Sequence, residues 1–194
     1  MSEPTKSKSN PLAFKELDSD TWRDFERLFE SPGAPKYCWC MVWRRTSEEA
    51  KHHEGTDRKR QMKARVDSGV PVGLIAYAGD VPTAWVSIAP RETYRNLGGA
   101  EAEPGESIWS LVCFYVPRRL RGEGMVHRLI EAAVKHARDG GATVVEAYPV
   151  DADAPSYRFM GFVPAFEKAG FREVGRAGNR RHVMRRQLGR RRAA

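Results

Sequence analysis

Leu12, Phe14 and Leu17 suggest a short first strand that ends at Asp18 or Ser19, either of which can cap a helix. Trp22, Phe25, Leu28 and Phe29 then repeat at helical spacing until Ser31-Pro32-Gly33 stops the helix. Tyr37 to Trp43 is densely apolar without a period and reads as cover for a core or pocket. The charged stretch 44–69 predicts one or two helices, the second starting near Asp57, carrying Met62, Ala64 and Val66 and stopping at Gly69. Val72 to Ala78 and Val81 to Ile88 are β-rich runs joined by Gly79-Asp80, close enough to form a hairpin. Residues 90–106 form a Gly- and Pro-containing loop.

Ile108 to Val116 is an almost unbroken apolar run, as expected of a strand buried on both faces, and Pro117 ends it. In the next segment Val126, Leu129, Ile130, Ala133, Val134 and Ala137 make one helical stripe, terminated by Gly140-Gly141. Thr143 to Val150 predicts a strand, Pro155 to Ala169 a weaker helix ending at Gly170, and Phe171–Val174 and Arg181–Leu188 two short strands. Strand, helices, three strands, helix, strand, helix and two strands is the order of an α+β fold with a mixed sheet.

A chain of 194 residues, 41% of them hydrophobic, is long enough for one substantial core and short for two. The expected organisation is a polar tail over 1–10, a single domain over 11–188 and a basic tail over 189–194. No apolar run has the roughly eighteen residues of a spanning helix, and Met1 to Asn10 lacks the apolar region of a secretory signal, so a cytoplasmic protein is expected. Cys38, Cys40 and Cys113 are too few for a disulfide framework. The charge is unevenly placed: Val174 to Ala194 holds eight arginines and no acid, equal to the whole net charge of +8. Such an end can bind polyanions, but it lacks interleaved aromatic residues to stack bases, so a nucleic-acid partner is disfavoured.

Chemistry concentrates between the buried strand and the striped helix. Arg121-Gly122-Glu123-Gly124-Met125-Val126 lies where several backbone N–H groups have no intrahelical partner. Glycine allows close approach of an anion, the helix dipole favours negative charge, and Arg118, Arg119 or Arg121 can add charge-assisted bonds. The segment has neither the Gly-x-Gly-x-x-Gly spacing of a dinucleotide fold nor the Gly-Lys-Ser/Thr ending of a nucleoside-triphosphate loop.

Val116-Pro-Arg-Arg-Leu-Arg-Gly-Glu-Gly-Met resembles motif A of the GNAT superfamily of N-acetyltransferases, Arg/Gln-x-x-Gly-x-Gly/Ala. Arg121 and Gly124 take its first and fourth positions, and Val126 stands where the family has Gly or Ala. A register from Arg119 also places Gly122 and Gly124 but shortens the distance from the strand. Phe166-Glu-Lys-Ala-Gly-Phe171 is similar to the family's late helix-to-strand signature, and the Cys38-Trp-Cys40-Met segment resembles a bacterial subgroup. The resemblance implies a largely antiparallel mixed sheet of six or seven strands, splayed between strands 4 and 5 and flanked by helices. It also implies acetyl-CoA as cosubstrate, with pantetheine on main chain around Phe114, Tyr115 and Val116 and pyrophosphate on Arg121, Gly122, Glu123, Gly124, Met125, Val126 and His127. Members often pair as homodimers, and the sequence does not decide this.

Direct attack of an amine on a thioester needs a deprotonated nucleophile, because an alkylammonium with a pKa of about 10.4 is charged at neutral pH. Glu106 and Glu146 are the candidate bases. The family's general acid, a tyrosine before Glu-Lys-x-Gly-Phe, is replaced by Phe166, which leaves Tyr148 or Tyr157 to protonate the thiolate. Cys38, Cys40, His52 and His53 match no common zinc spacing, so no metal is expected. Trp39, Trp43, Trp85, Tyr94 and Trp109 could line an acceptor site. The expected reaction is acetylation of a primary amine on a small molecule. A protein N-terminus or lysine as acceptor, and a non-catalytic acyl-CoA-binding module, are the rival readings.

Overall fold

A computed structural model describes residues 12–189; the expected tail over 1–10 and, apart from Gly189, that over 189–194 lie outside the described residues. Seven strands form one sheet: β1 (Leu12–Glu16), β2 (Leu74–Ala78), β3 (Val81–Pro90), β4 (Ile108–Tyr115), β5 (Val144–Ala147), β6 (Arg172–Ala177) and β7 (Arg181–Gln187). Their spatial order is β1-β2-β3-β4-β5-β7-β6. Every neighbouring pair is antiparallel except β4 and β5, which run parallel. That pair needs a crossover, supplied by α3 (Met125–Asp139).

The apolar stripe of α3 covers one face of the sheet: Leu129, Ile130, Ala133, Val134 and Ala137 are all buried against Leu111, Val145 and their neighbours. Trp109 belongs to this face, edge-on to His136 at 5.4 Å. The opposite face carries α1 (Trp22–Glu30) and α2 (Gly55–Asp67). Phe25, Leu28 and Phe29 of α1 and Met62 and Val66 of α2 pack with Trp39 and Trp85 there. Between these helices, 31–54 is irregular apart from a 3-10 turn at Glu49–Lys51, and Trp39 and Cys40 have left-handed backbone (φ 49° and 57°), so the dense apolar stretch is cover and not a regular element.

The helix predicted over Pro155–Ala169 is broken. Only α4 (Val163–Lys168) is α-helical, preceded by a 3-10 turn at Arg158–Met160. Pro164 is well placed to open a helix and poorly placed inside one, while Tyr157 and Gly161 have positive φ (60° and 88°), which interrupts helical propagation. The strand predicted over Thr143–Val150 keeps its ladder for Val144–Ala147 only, and the chain beyond it diverges from β4.

Candidate active site

The divergence makes a fork. β4 and β5 pair from Ile108↔Val144 to Leu111↔Ala147 and no further, so Val112 to Tyr115 present a free backbone edge toward β5. On the other side of β4, Ser87 pairs with Cys113 and Ile88 with Leu111, which leaves Val112 as an extra residue in the strand. A β-bulge of this kind unpairs and re-aims main-chain groups. Bulge and fork fall at the same residue. Beyond the fork, the β5 chain is held by other partners: the N–H of Val150 donates to the Gly161 carbonyl at 3.0 Å and that of Val163 to the Val150 carbonyl at 3.1 Å.

Pro117 and a 3-10 turn at Arg118–Leu120 carry the chain from β4 to the glycine loop. Gly122 and Gly124 adopt left-handed φ (83° and 75°), accessible to glycine without Cβ strain, and nothing stands within 4 Å of where a Cβ would project. Gly124 precedes the helix without a side-chain cap, and the first turn contains no acid, so its N–H groups remain available to an anion. Arg118 and Arg119 in the turn before the loop and Arg121 at its start are exposed, with Arg121 tethered by its Nε donating to the Val116 carbonyl at 3.0 Å. His127 has a buried Nδ1 with no hydrogen-bond partner. Glu123 is exposed; Met125 is buried and Val126 half-buried, so these two support the loop through packing. This surface fits a pyrophosphate. A groove of about 380 Å³ beside it is lined by Arg27, Tyr115, Pro117 and Arg119; a larger one, about 580 Å³, lies between α3 and the β1–β2 edge, away from the fork.

Of the predicted pantetheine residues, Phe114 packs against Phe166 on the α3 face, with centroids 6.1 Å apart, and Tyr115 faces Phe29 on the other, at 5.6 Å. Phe166 is fully buried in the core, which accounts for the missing hydroxyl at that position.

Three of the four predicted acid–base residues belong to one network. Glu146 is completely buried. Its carboxylate accepts from Arg185 Nε at 2.7 Å, the Tyr148 hydroxyl at 2.5 Å, the Ala100 N–H at 3.2 Å and Arg91 Nη1 at 3.4 Å. Arg185 extends the network to Glu106 (3.4 Å) and to the carbonyls of Ala100 and Glu101. The 90–106 loop therefore roofs the carboxylate, and a Cβ on Gly99 would collide with both Glu146 and Tyr148. Hydrogen bonding from the Glu103 N–H, with help from Gln187 and Arg185, holds the Glu106 carboxyl below the usual carboxylate range. Burial, reinforced by Glu146, pushes the Tyr148 hydroxyl far up, so it stays protonated. Tyr157 stands apart, 6.1 Å from Trp43, and its hydroxyl makes no hydrogen bond within the described structure.

Sequence reasoning missed Arg44. It is 3% exposed and donates to the Val72 carbonyl (2.9 Å), Ser87 Oγ (3.0 Å) and the Tyr94 hydroxyl (2.6 Å), with no carboxylate partner. Nearby, Trp85 Nε1 donates to Cys40 Sγ at 3.3 Å. Hydrogen bonding from Cys113, together with the Arg44 charge, lowers the Cys40 thiol to about 7, while the Cys113 thiol moves up. The signal available was one arginine directly after an apolar run. Its partners are remote in sequence.

Solved structures share the fold. An uncharacterised protein from Bacillus halodurans is 14% identical, with a TM-score of 0.58 over 91% of this chain and 83% of its own. The aminoglycoside N(6')-acetyltransferase of Legionella pneumophila is 15% identical, with a TM-score of 0.52 over 90% of each chain. The PaiA N-acetyltransferase of Thermoplasma acidophilum, in complex with coenzyme A, is 12% identical, with a TM-score of 0.53 over 92% of this chain and 99% of its own. At such identities the likeness concerns the fold. No curated protein matches the sequence. The acetyltransferase (GNAT) family model, however, matches residues 14–162, which span the fork, the bulge and the glycine loop, and the chain belongs to that family.

Proposed function

We propose that this acetyltransferase moves the acetyl group of acetyl-CoA to a primary amine of a small molecule by direct attack in a ternary complex. The coincidence of bulge and fork at Val112, one short turn from the glycine loop, carries the reading. Acetyl-CoA supplies the activated acyl group. The loop 121–127 holds its pyrophosphate through backbone N–H groups and the neighbouring arginines, and the free β4 edge at Val112–Val116 takes the pantetheine amides. Main-chain N–H groups released by the bulge are the donors available to polarise a thioester carbonyl.

The amine must lose a proton before it attacks. The 90–106 loop roofs both Glu146 and the Tyr148 hydroxyl bonded to it, so proton removal requires that loop to move aside at Gly99; the hydroxyl then relays the proton to the carboxylate, and Glu106 steadies the pair through Arg185. Tyr157, whose hydroxyl is unbound, protonates the departing thiolate. The Cys38-Trp-Cys40-Met segment supports a reading of the chain as one of a bacterial subgroup that carries this string.

Isothermal titration with acetyl-CoA, repeated on Gly124→Trp, tests the cofactor part of this reading. Saturable binding is expected in the parent and absent in the variant, whose indole fills the open space over the loop. A parent that does not bind acetyl-CoA refutes it. Release of free thiol in a panel of amines then measures transfer.

A further inference from the structure

Most arginines of the inner surface have carboxylates: Arg65 pairs with Glu49, Arg91 and Arg185 with Glu146, and Arg186 with Glu131. Around Trp43 this pattern stops. The guanidinium of Arg181 lies 4.5 Å from the Trp43 ring centroid, 5.5 Å from that of Tyr157 and 5.9 Å from that of Tyr148. Arg95 lies 4.9 Å from the Trp43 ring. Arg181 donates to the Leu97 carbonyl at 2.9 Å, and neither arginine reaches a carboxylate within the described structure. Arg45, the second residue after Trp43, has a buried Nε and Nη1 with no partner, and the Trp43 Nε1 is buried and unpartnered as well. Trp43 itself is only 7% exposed.

These charges oppose one another. Burial, followed by Arg58 and Arg95, weakens the hold of Arg45 on its proton, and burial followed by the Arg95 charge does the same to Arg181. Buried donors without acceptors are costly, and each calls for an explanation. The position of the cluster supplies one. Trp43 packs in the same apolar group as Val112, Tyr148 and Met160, which places it at the mouth of the fork on the face away from α3. We infer that the Trp43–Arg95–Arg181 cluster, with Arg45 beside it, is the acceptor subsite, and that it selects an amine whose other end carries a carboxylate or phosphate. Its aromatic walls stack on a flat or apolar body, and the guanidinium groups neutralise the anion. A polycationic amine is repelled there.

The inference rests on the acetyl-transfer reading, and the test separates the two. Thiol release from acetyl-CoA is compared for phenylalanine against phenethylamine and for phosphoethanolamine against ethanolamine, with spermidine as the polycation. In parallel, N-acetylphenylalanine and inorganic phosphate are titrated calorimetrically onto the parent and onto Arg181→Gln and Arg95→Gln. At least one anionic amine should show a KM about tenfold below that of its uncharged-tail partner, and each variant should erase about that factor for the anion alone. The two arms distinguish carboxylate from phosphate. Preference for spermidine, or equal loss for both members of a pair, overturns the inference, as does binding of neither anionic probe to a parent that still binds acetyl-CoA. Weakened acetyl-CoA binding in the variants overturns it too, by assigning the cluster to the cosubstrate. Failure of the parent to bind acetyl-CoA defeats the transferase reading itself.

Discussion

Replacing Arg185 with Met removes a guanidinium whose side chain is 9% exposed and strands the Glu146 carboxylate, which is 0% exposed. Four contacts vanish: those to Glu146 (2.7 Å), the carbonyls of Ala100 (2.6 Å) and Glu101 (3.0 Å), and Glu106 (3.4 Å). Glu146 keeps the Tyr148 hydroxyl, the Ala100 N–H and a long contact to Arg91 at 3.4 Å, so its charge is left poorly compensated in the interior. Breaking a buried pair in this way costs about 3–5 kcal/mol, well beyond the ~0–1 kcal/mol of an exposed ion pair. In a chain of this size the loss corresponds to a fall in Tm of roughly 6–20 °C. Adding Glu146→Gln to Arg185→Met removes the orphaned charge while keeping an acceptor for Tyr148, and should recover about a third or more of the loss. Urea denaturation of the parent, both single variants and the double variant gives the coupling directly. A cost below about 1 kcal/mol for Arg185→Met, or strict additivity in the cycle, would show that the roof admits water and that the pair behaves as a surface contact.

Two further outcomes follow from the same geometry. Tyr157→Phe should lower kcat by about a hundredfold or more while leaving acetyl-CoA affinity unchanged, since a proton donor acts only in the transfer step; an unchanged kcat in steady-state thiol release would remove Tyr157 from the chemistry. Thiolate absorbance should show one of the three cysteines ionising near 7, and Arg44→Met should move that step upward. Because the folded chain releases the Cys40 proton near 7 whereas the unfolded thiol holds it until about 9.0, the unfolded state binds more protons between these values, and stability should rise with pH across that window. A urea midpoint that is flat or falling from pH 7 to 9 contradicts the assignment.

The parts of the fold that sequence exposes are those whose cause is local. The stripe from Val126 to Ala137, its glycine stop and the apolar run of β4 each follow from a period or a composition within about fifteen residues, and the glycine loop between them inherits its position. Pro164 and Gly161 show the limit of that method: apolar residues over 155–169 satisfy a helical spacing, yet the backbone demands of these two and of Tyr157 cut the helix to Val163–Lys168. The fork lies beyond sequence altogether. Nothing in Ser110-Leu111-Val112-Cys113 marks where β4 stops pairing with β5, because that depends on Val150 finding Gly161 and Val163 instead. The Glu146 network divides in the same manner. Glu146 stands out as a lone acid among Val144, Val145 and Ala147, but its occupancy by Arg185 and Arg91 and the roof at Gly99 come from segments far apart in the chain. The Trp43 cluster is the extreme case, joining residues from the α1–α2 segment, the 90–106 loop and β7. Local pattern therefore exposes the glycine loop, whose shape is set within a few residues, while the Trp43 cluster consists of side chains that only the closed sheet brings together.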